Sequence, residues 1–222
     1  MKYIYHHLGL GDHIICNGLV RRLINPDDKY SMFVKEHNKI SVEFMYRDLT
    51  NLSFIVGDDS FVKKFISENN IEGKDLIICG FTWLANCSWD EVFYYQHNID
   101  FKERWESFNV ERDFNMEDYL YDLLNPNNED FVLIHKIGSD GLDRINYDRI
   151  NPNLKKIYVE KHTENMFDYL KLIELAKEIH CVDSSFLHLV DSVLTTGEVF
   201  YHKNHIQRTT IDSVQNKKWK II

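Results

Sequence analysis

Two short segments of this 222-residue chain place chemistry-bearing side chains beside turn-forming ones. The first is His6-His7-Leu8-Gly9-Leu10-Gly11-Asp12-His13, just after an apolar strand signal. Glycines there let backbone N–H groups approach a phosphate or a sugar, and the N-terminus of a following helix favours an anion. The dinucleotide fingerprint is absent, because the third glycine position is Ile14, and no Gly-Lys-Ser/Thr follows to make a phosphate-cradling Walker loop. A tight turn with Asp12 capping a helix fits the spacing equally well. The second segment, Ile179-His180-Cys181-Val182-Asp183-Ser184-Ser185-Phe186-Leu187-His188-Leu189, reads as strand, turn, helix. Ser184 or Asp183 can cap that helix, Ser185 offers an N–H at its start, and His188 lies one turn in, where it could donate to a phosphate oxygen. An ordinary N-cap with a half-buried histidine satisfies the same pattern.

The elements that must position these segments alternate. Apolar runs at 2–8, 30–35, 52–56 and 75–79 read as strands, with helices expected over 12–24, 40–49 and 61–68. Ile15, Leu19 and Leu23, with Val20, form the apolar stripe of the first helix. Residues 81–128 break the pattern with aromatic and acidic side chains, read as helices and loops. Asn125-Pro126-Asn127-Asn128 looks like a linker. Strands at 131–135, 156–159, 179–182 and 198–201 then alternate with helices at 166–178 and 186–194. Such alternation predicts parallel sheets with right-handed crossovers. The expectation is an α/β protein of two small Rossmann-like units, 1–128 and 129–222, with a ligand cleft between them.

Composition narrows the function classes. At 44% hydrophobic and 27% charged residues, the chain is that of an ordinary globular protein. Its net charge of −9 sits in the middle: residues 90–130 carry 12 acidic and 3 basic side chains, which is −9 for that stretch alone. An acidic middle repels phosphate backbones and argues against nucleic acid as a partner. The segment 203–222 holds five Lys/Arg against one Asp, a solvated face that leaves contact with a membrane surface open. No apolar run approaches the ~20 residues of a spanning helix. The four cysteines form no C-x-x-C pair and no zinc spacing. Reduced thiols and the lack of a signal-like N-terminus point to the cytoplasm. Eleven histidines invite a metal reading, but adjacent strand residues face opposite ways and there is no D-x-D, so no metal and no cofactor are expected.

The motifs resemble those of a known group. Gly9-x-Gly11-Asp12-x-Ile14 opening a helix after the first strand is similar to the start of the ADP-heptose lipopolysaccharide heptosyltransferases and related GT-B glycosyltransferases. Asp183, Ser184 and His188 match their donor-side D-[ST]-G-x-x-H motif position by position, with Ser185 standing where the family has glycine. The resemblance covers both ends of the chain better than its middle, and the chain is shorter than a typical heptosyltransferase. It implies a compact GT-B-like fold in which Asp12 is the catalytic base and Gly9, Gly11 and His13 line the acceptor side. His135-Lys136-Ile137-Gly138-Ser139 resembles the H-x-G-x-S loop of GT-B donor domains, apart from Lys136 and Ile137 before the glycine. Lys136 and Ser139, with Glu160 at a strand end, Asp183, Ser184, Ser185 and His188, are then the donor-binding set. The run Phe101-x-x-Arg104-Trp105-x-x-Phe108-x-x-x-Arg112-Asp113 looks like a stretch of small bacterial and viral sugar transferases. It makes Arg104 and Arg112 acceptor-binding candidates, although aromatics packing a helix pair with Arg–Glu partners fit it as well. The implied function is inverting, metal-independent transfer of a hexosyl or heptosyl group from a nucleotide-sugar to a glycan or glycolipid. The alternative is a catalytically reduced module of the same fold that binds nucleotide or glycan without turnover. A nucleotide-sugar epimerase or dehydrogenase would need the dinucleotide loop that is missing.

Overall fold

The computed structural model describes residues 1–138, 141–203 and 219–222. By its contacts the chain divides into two units, Met1–Glu111 and Arg112–Ile222.

In the first unit the order is β1 (Lys2–Tyr5), α1 (Leu10–Ile15), α2 (Asn17–Leu23), β2 (Tyr30–Val34), α3 (Lys39–Met45), β3 (Leu52–Val56), α4 (Asp59–Glu68) and β4 (Leu76–Ile78). Helices α5 (Glu91–Tyr95) and α6 (Glu103–Glu106) follow. The sheet order is β3-β2-β1-β4 and every pairing is parallel. Parallel strands are covered on both faces, so a central one reads as a continuous apolar run rather than an alternation. Strand β2, Tyr-Ser-Met-Phe-Val, is buried at all five positions. Ile4, Ile14, Ile15, Leu19, Val20, Met32, Phe33, Val42 and Met45 are all fully enclosed around this sheet. The helix expected over 12–24 starts two residues early and breaks at Cys16, whose ψ of 0° ends α1 and begins α2.

The second unit holds α7 (Phe114–Leu124), β5 (Phe131–His135), β6 (Lys155–Tyr158), α8 (Leu170–Leu175), β7 (Glu178–Cys181), α9 (Ser185–Ser192), β8 (Glu198–Tyr201) and β9 (Lys220–Ile221). Its sheet order is β6-β5-β7-β8-β9, again parallel throughout. The helix expected over 166–178 is shorter: a 3-10 turn, Met166–Tyr169, leads into α8, and residue 178 already belongs to β7.

The boundary expected after residue 128 lies earlier, because α7 packs on α8 within the second unit. Residues 125–128 are not a linker. Asn125 is buried, and its side chain accepts from the Glu129 N–H, 3.2 Å, and donates to the Glu129 carbonyl, 2.9 Å. The Asn125 carbonyl in turn accepts the Asn128 N–H, so this segment is a closed turn that ends α7.

Candidate functional site

A parallel sheet sends every strand's C-terminus to one edge, which is where open α/β sheets bind ligands. In the first unit that edge gathers Gly9–Asp12 after β1, Lys35 after β2, Asp59 after β3 and Phe81 after β4. Asp12 occupies the third position of α1, and Gly9 is the N-cap, with φ −71° and ψ 148° and no side chain to cap with. The carboxylate of Asp12 reaches back to accept the Gly9 N–H and also takes its own N–H. This is the reciprocal half of a capping box. Burial nonetheless dominates and raises the Asp12 carboxyl to about 7, with Asp59 pushing the same way and the two backbone hydrogen bonds and Lys35 opposing. A carboxyl that titrates near neutrality is matched to general-base work at neutral pH.

Around Asp12, Lys35 Nζ lies 3.4 Å from Asp59 Oδ2, and the Tyr5 hydroxyl donates to Asp59 Oδ1 at 3.1 Å. The ring of Phe81 sits 4.1 Å from that of exposed His7 and 4.8 Å from that of Tyr5. Phe81 has a φ of +59°, which a phenylalanine rarely adopts, and its side chain is 48% exposed. Gly80 before it has φ +80°, and a Cβ there would fall 2.4 Å from the Phe93 ring.

In the second unit the same edge holds His135 at the end of β5 and Lys136 after it, Glu160 after β6, and Asp183, Ser184 and Ser185 after β7. Ser184 caps α9, its hydroxyl accepting the Leu187 N–H at 3.3 Å. The same hydroxyl lies 3.1 Å from both His135 Nδ1 and the Val182 carbonyl oxygen. The His135 ring stacks on Phe186 at 5.2 Å, and burial lowers it to about 4, so it is neutral near pH 7. Lys136 Nζ sits 5.0 Å over the Tyr158 ring and 3.9 Å from Glu160 Oε1. Together these put a helix N-terminus, a hydroxyl and an ammonium on one edge, beside the carboxylates of Glu160 and Asp183; the backbone N–H groups at the start of α9 are the part of it that suits an anionic group.

Beside this edge the loop following residue 141 is pinned by a chain of hydrogen bonds. Asn146 N–H donates to His202 Nδ1, so the His202 proton sits on Nε2 and points at His180 Nδ1, 2.8 Å away. His180 Nε2–H then faces Glu178, 3.4 Å away, whose carboxylate also accepts the Asn151 N–H. Burial holds both imidazoles at about 4. The segment from Asn146 to Asn151, which carries Arg149, is thus tied at one end to neutral His202 and at the other to the Glu178 carboxylate.

No protein-family profile matches the sequence, and no curated protein matches it either. Solved structures do. The crystal structure of the glycosyl transferase family 9 from Veillonella parvula DSM 2008 superposes with a TM-score of 0.58 at 12% identity, covering 100% of this chain and 86% of that one. The E. coli ADP-heptose lps heptosyltransferase II gives 0.53 at 8% identity, covering 100% and 90%. The fold is GT-B-like. At such identities the likeness is one of fold.

Several expected site residues are placed elsewhere than the sequence suggested. His13 is fully buried, its ring edge-on to His6 at 4.4 Å and both its nitrogens without a hydrogen-bond partner. Desolvation holds it neutral, so His13 is a core side chain and no part of an acceptor surface. Arg104 is likewise fully enclosed, bound to equally buried Asp90 at 2.9 Å, and cannot reach a ligand. Arg112 belongs to the second unit, where Glu117 and Glu174 hold it. His188, expected half-buried, is only 4% exposed within α9. Ser139 lies outside the described residues. Among the described residues no group of three or more His, Cys, Asp or Glu could hold a metal, and no helix is long and apolar enough to cross a membrane. Lys35, Asp59 and Phe81 were not singled out from the sequence; the only signal available for them was position, each standing just past an apolar strand. In the sequence, His135 figured only as the first residue of the His135–Ser139 loop, with no role of its own.

Proposed function

We propose that this protein is a glycosyltransferase that moves a sugar from a nucleotide-sugar to a carbohydrate-containing acceptor. The observation that carries this reading is Asp12: a carboxyl held near neutrality, at the first strand-to-helix turn of a GT-B-like fold. In the reaction, ionised Asp12 takes the proton of an acceptor hydroxyl as its oxygen attacks the anomeric carbon. The bond from that carbon to the terminal phosphate oxygen breaks, the electron pair leaves with the nucleoside diphosphate, and a single displacement inverts the configuration. The N-terminus of α9, Ser184, Ser185 and Lys136 hold the diphosphate and stabilise the charge that builds on it. No step calls on a metal ion.

The test has two stages. A thermal-shift screen with ADP, GDP, UDP, CMP and their sugars selects the donor, since a ligand at 100 times its Kd stabilises by ~2.7 kcal/mol. Transfer or donor hydrolysis is then assayed for the wild type and Asp12→Asn. Two observations favour a binding module as the second reading: Asp12 also serves as a helix cap, and Ser185 adds a side chain where a diphosphate would approach the backbone most closely. Tight nucleotide binding without turnover on any tested acceptor would establish that second reading.

A further inference from the structure

The first unit's sheet edge offers more than a base. Phe81 presents nearly half its surface to solvent, yet its backbone is in the left-handed region that a non-glycine residue adopts only at a cost. Its ring is tilted against His7 at 4.1 Å and Tyr5 at 4.8 Å. His7 in turn packs edge-on to Phe93. The result is a contiguous aromatic face at the C-terminal edge of the sheet. Beside it stand Asp59 and Lys35, paired at 3.4 Å, with Tyr5 donating to the far oxygen of Asp59. Tyr5 joins the aromatic face to the ion pair, its ring 4.8 Å from Phe81 and its hydroxyl on Asp59, and the charges of both Lys35 and Asp59 act on Asp12. Asp59 also acts on His7.

We propose that Phe81 and His7 form a stacking platform for a neutral pyranose ring, with Asp59 and Lys35 hydrogen-bonding its hydroxyls, so that the acceptor sugar is uncharged. A pyranose presents a row of C–H groups on one face and hydroxyls around its rim. An exposed aromatic ring takes the first, and a carboxylate–ammonium pair, with acceptors and donors adjacent, takes the second. The sign of the site sets the charge of the guest. Once Asp12 is ionised, as a base must be, two carboxylates, Asp12 and Asp59, stand against one ammonium, Lys35, and that ammonium is already paired. Arg104, a cation that could have met an acidic sugar, is sealed in the core with Asp90. A carboxylate or phosphate on the acceptor would therefore meet net negative charge. This proposal rests on the transferase reading for the word acceptor, but the binding itself does not.

The experiment measures binding to the full chain without a donor, by saturation-transfer NMR and titration. The probes are methyl glucoside, methyl galactoside and methyl mannoside, with methyl glucuronide as the acidic counterpart. At least one neutral glycoside should bind, and more tightly than the glucuronide. Phe81→Asn keeps the left-handed backbone, which asparagine tolerates, and removes the ring; it should weaken the neutral sugar by about two- to tenfold, the range of an aromatic stacking contact. Phe81→Tyr should restore affinity. The platform is overturned if the glucuronide binds as well as the neutral sugars, if no glycoside binds, or if Phe81→Asn binds as the wild type does. The two readings fail separately. Sugar binding that depends on Phe81 without any transfer would remove the transferase and leave the platform. Transfer that is indifferent to Phe81 would do the reverse.

Discussion

A Cβ atom on residue 9 would lie 2.4 Å from Oδ2 of Asp12, so Gly9 and Asp12 are shaped to each other. The backbone of Gly9, at φ −71° and ψ 148°, is one that any residue adopts. Glycine is needed here for space and not for conformation. Gly9→Ala should therefore fold normally but push the Asp12 carboxylate off the Gly9 N–H. Circular dichroism and melting should stay close to the wild type, while turnover falls at least tenfold through misplacement of the base. A Gly9→Ala enzyme of full activity would show that the position of Asp12 is not used in the chemistry.

Much of this architecture was legible because parallel strands, buried on both faces, are written as unbroken apolar runs such as Tyr30–Val34 and Phe131–His135. What was not legible depended on partners distant in sequence or on local turn chemistry. The stripe of Ile15, Leu19 and Leu23 runs straight through the break at Cys16, so one long helix was expected where there are two short ones. Asn125-Pro126-Asn127-Asn128 has linker composition, but the Asn125 amide satisfies the backbone of its own turn. Arg104 looked like a ligand clamp because its partner, Asp90, stands fourteen residues earlier and meets it only in the folded core. Lys35, Asp59 and Phe81 carry no motif. The order β3-β2-β1-β4 is what brings their strand ends to the side of Asp12.

The enclosed Arg104–Asp90 pair makes a prediction about stability that an acceptor role would not. Removing one partner leaves the other charge buried and uncompensated, a loss of about 3–5 kcal/mol. Arg104→Met, measured by urea denaturation, should lose stability on that scale with no sugar or nucleotide present. A variant that remains as stable as the wild type but binds acceptor poorly would return Arg104 to the ligand site.

In the second unit, Ser184 joins the cap of α9 to the ring of His135. Ser184→Ala should cost about 1 kcal/mol of stability through the lost cap. It should also weaken nucleotide binding, because the hydroxyl and the fixed α9 N-terminus are both on the proposed diphosphate site. His188→Ala should weaken binding by roughly 1–3 kcal/mol if its imidazole donates to a phosphate from inside the helix. Calorimetric titration with the selected nucleotide checks both. Unchanged affinity in both variants, with the fold intact, would move the donor away from this helix.

Asp12→Asn tests the base through two independent readouts, and the signs are fixed by the titrations. The Asp12 carboxyl is raised from 3.8 to about 7 in the fold, so its contribution to stability is fully present below about 3.8 and lost as the pH rises through about 7. The buried histidines 6, 135, 180 and 202 run the other way: each is lowered from 6.5 to about 4, so their contribution is present above 6.5 and lost as the pH falls toward 4. Urea denaturation of the wild type should show stability limited on the acid side by the histidines and on the neutral side by Asp12. Asparagine keeps an acceptor oxygen for the Gly9 N–H but cannot ionise, so the variant should keep the acid-side loss and lose the decline between about pH 4 and 7. Turnover should separate just as sharply. The wild-type rate rises with pH through about 7 as Asp12 ionises, whereas Asp12→Asn falls by about 10²–10⁴, the usual worth of a positioned base, with nucleotide affinity unchanged. If the variant shows the expected stability profile and yet turns over at the wild-type rate, Asp12 is a buried cap whose titration has no part in transfer.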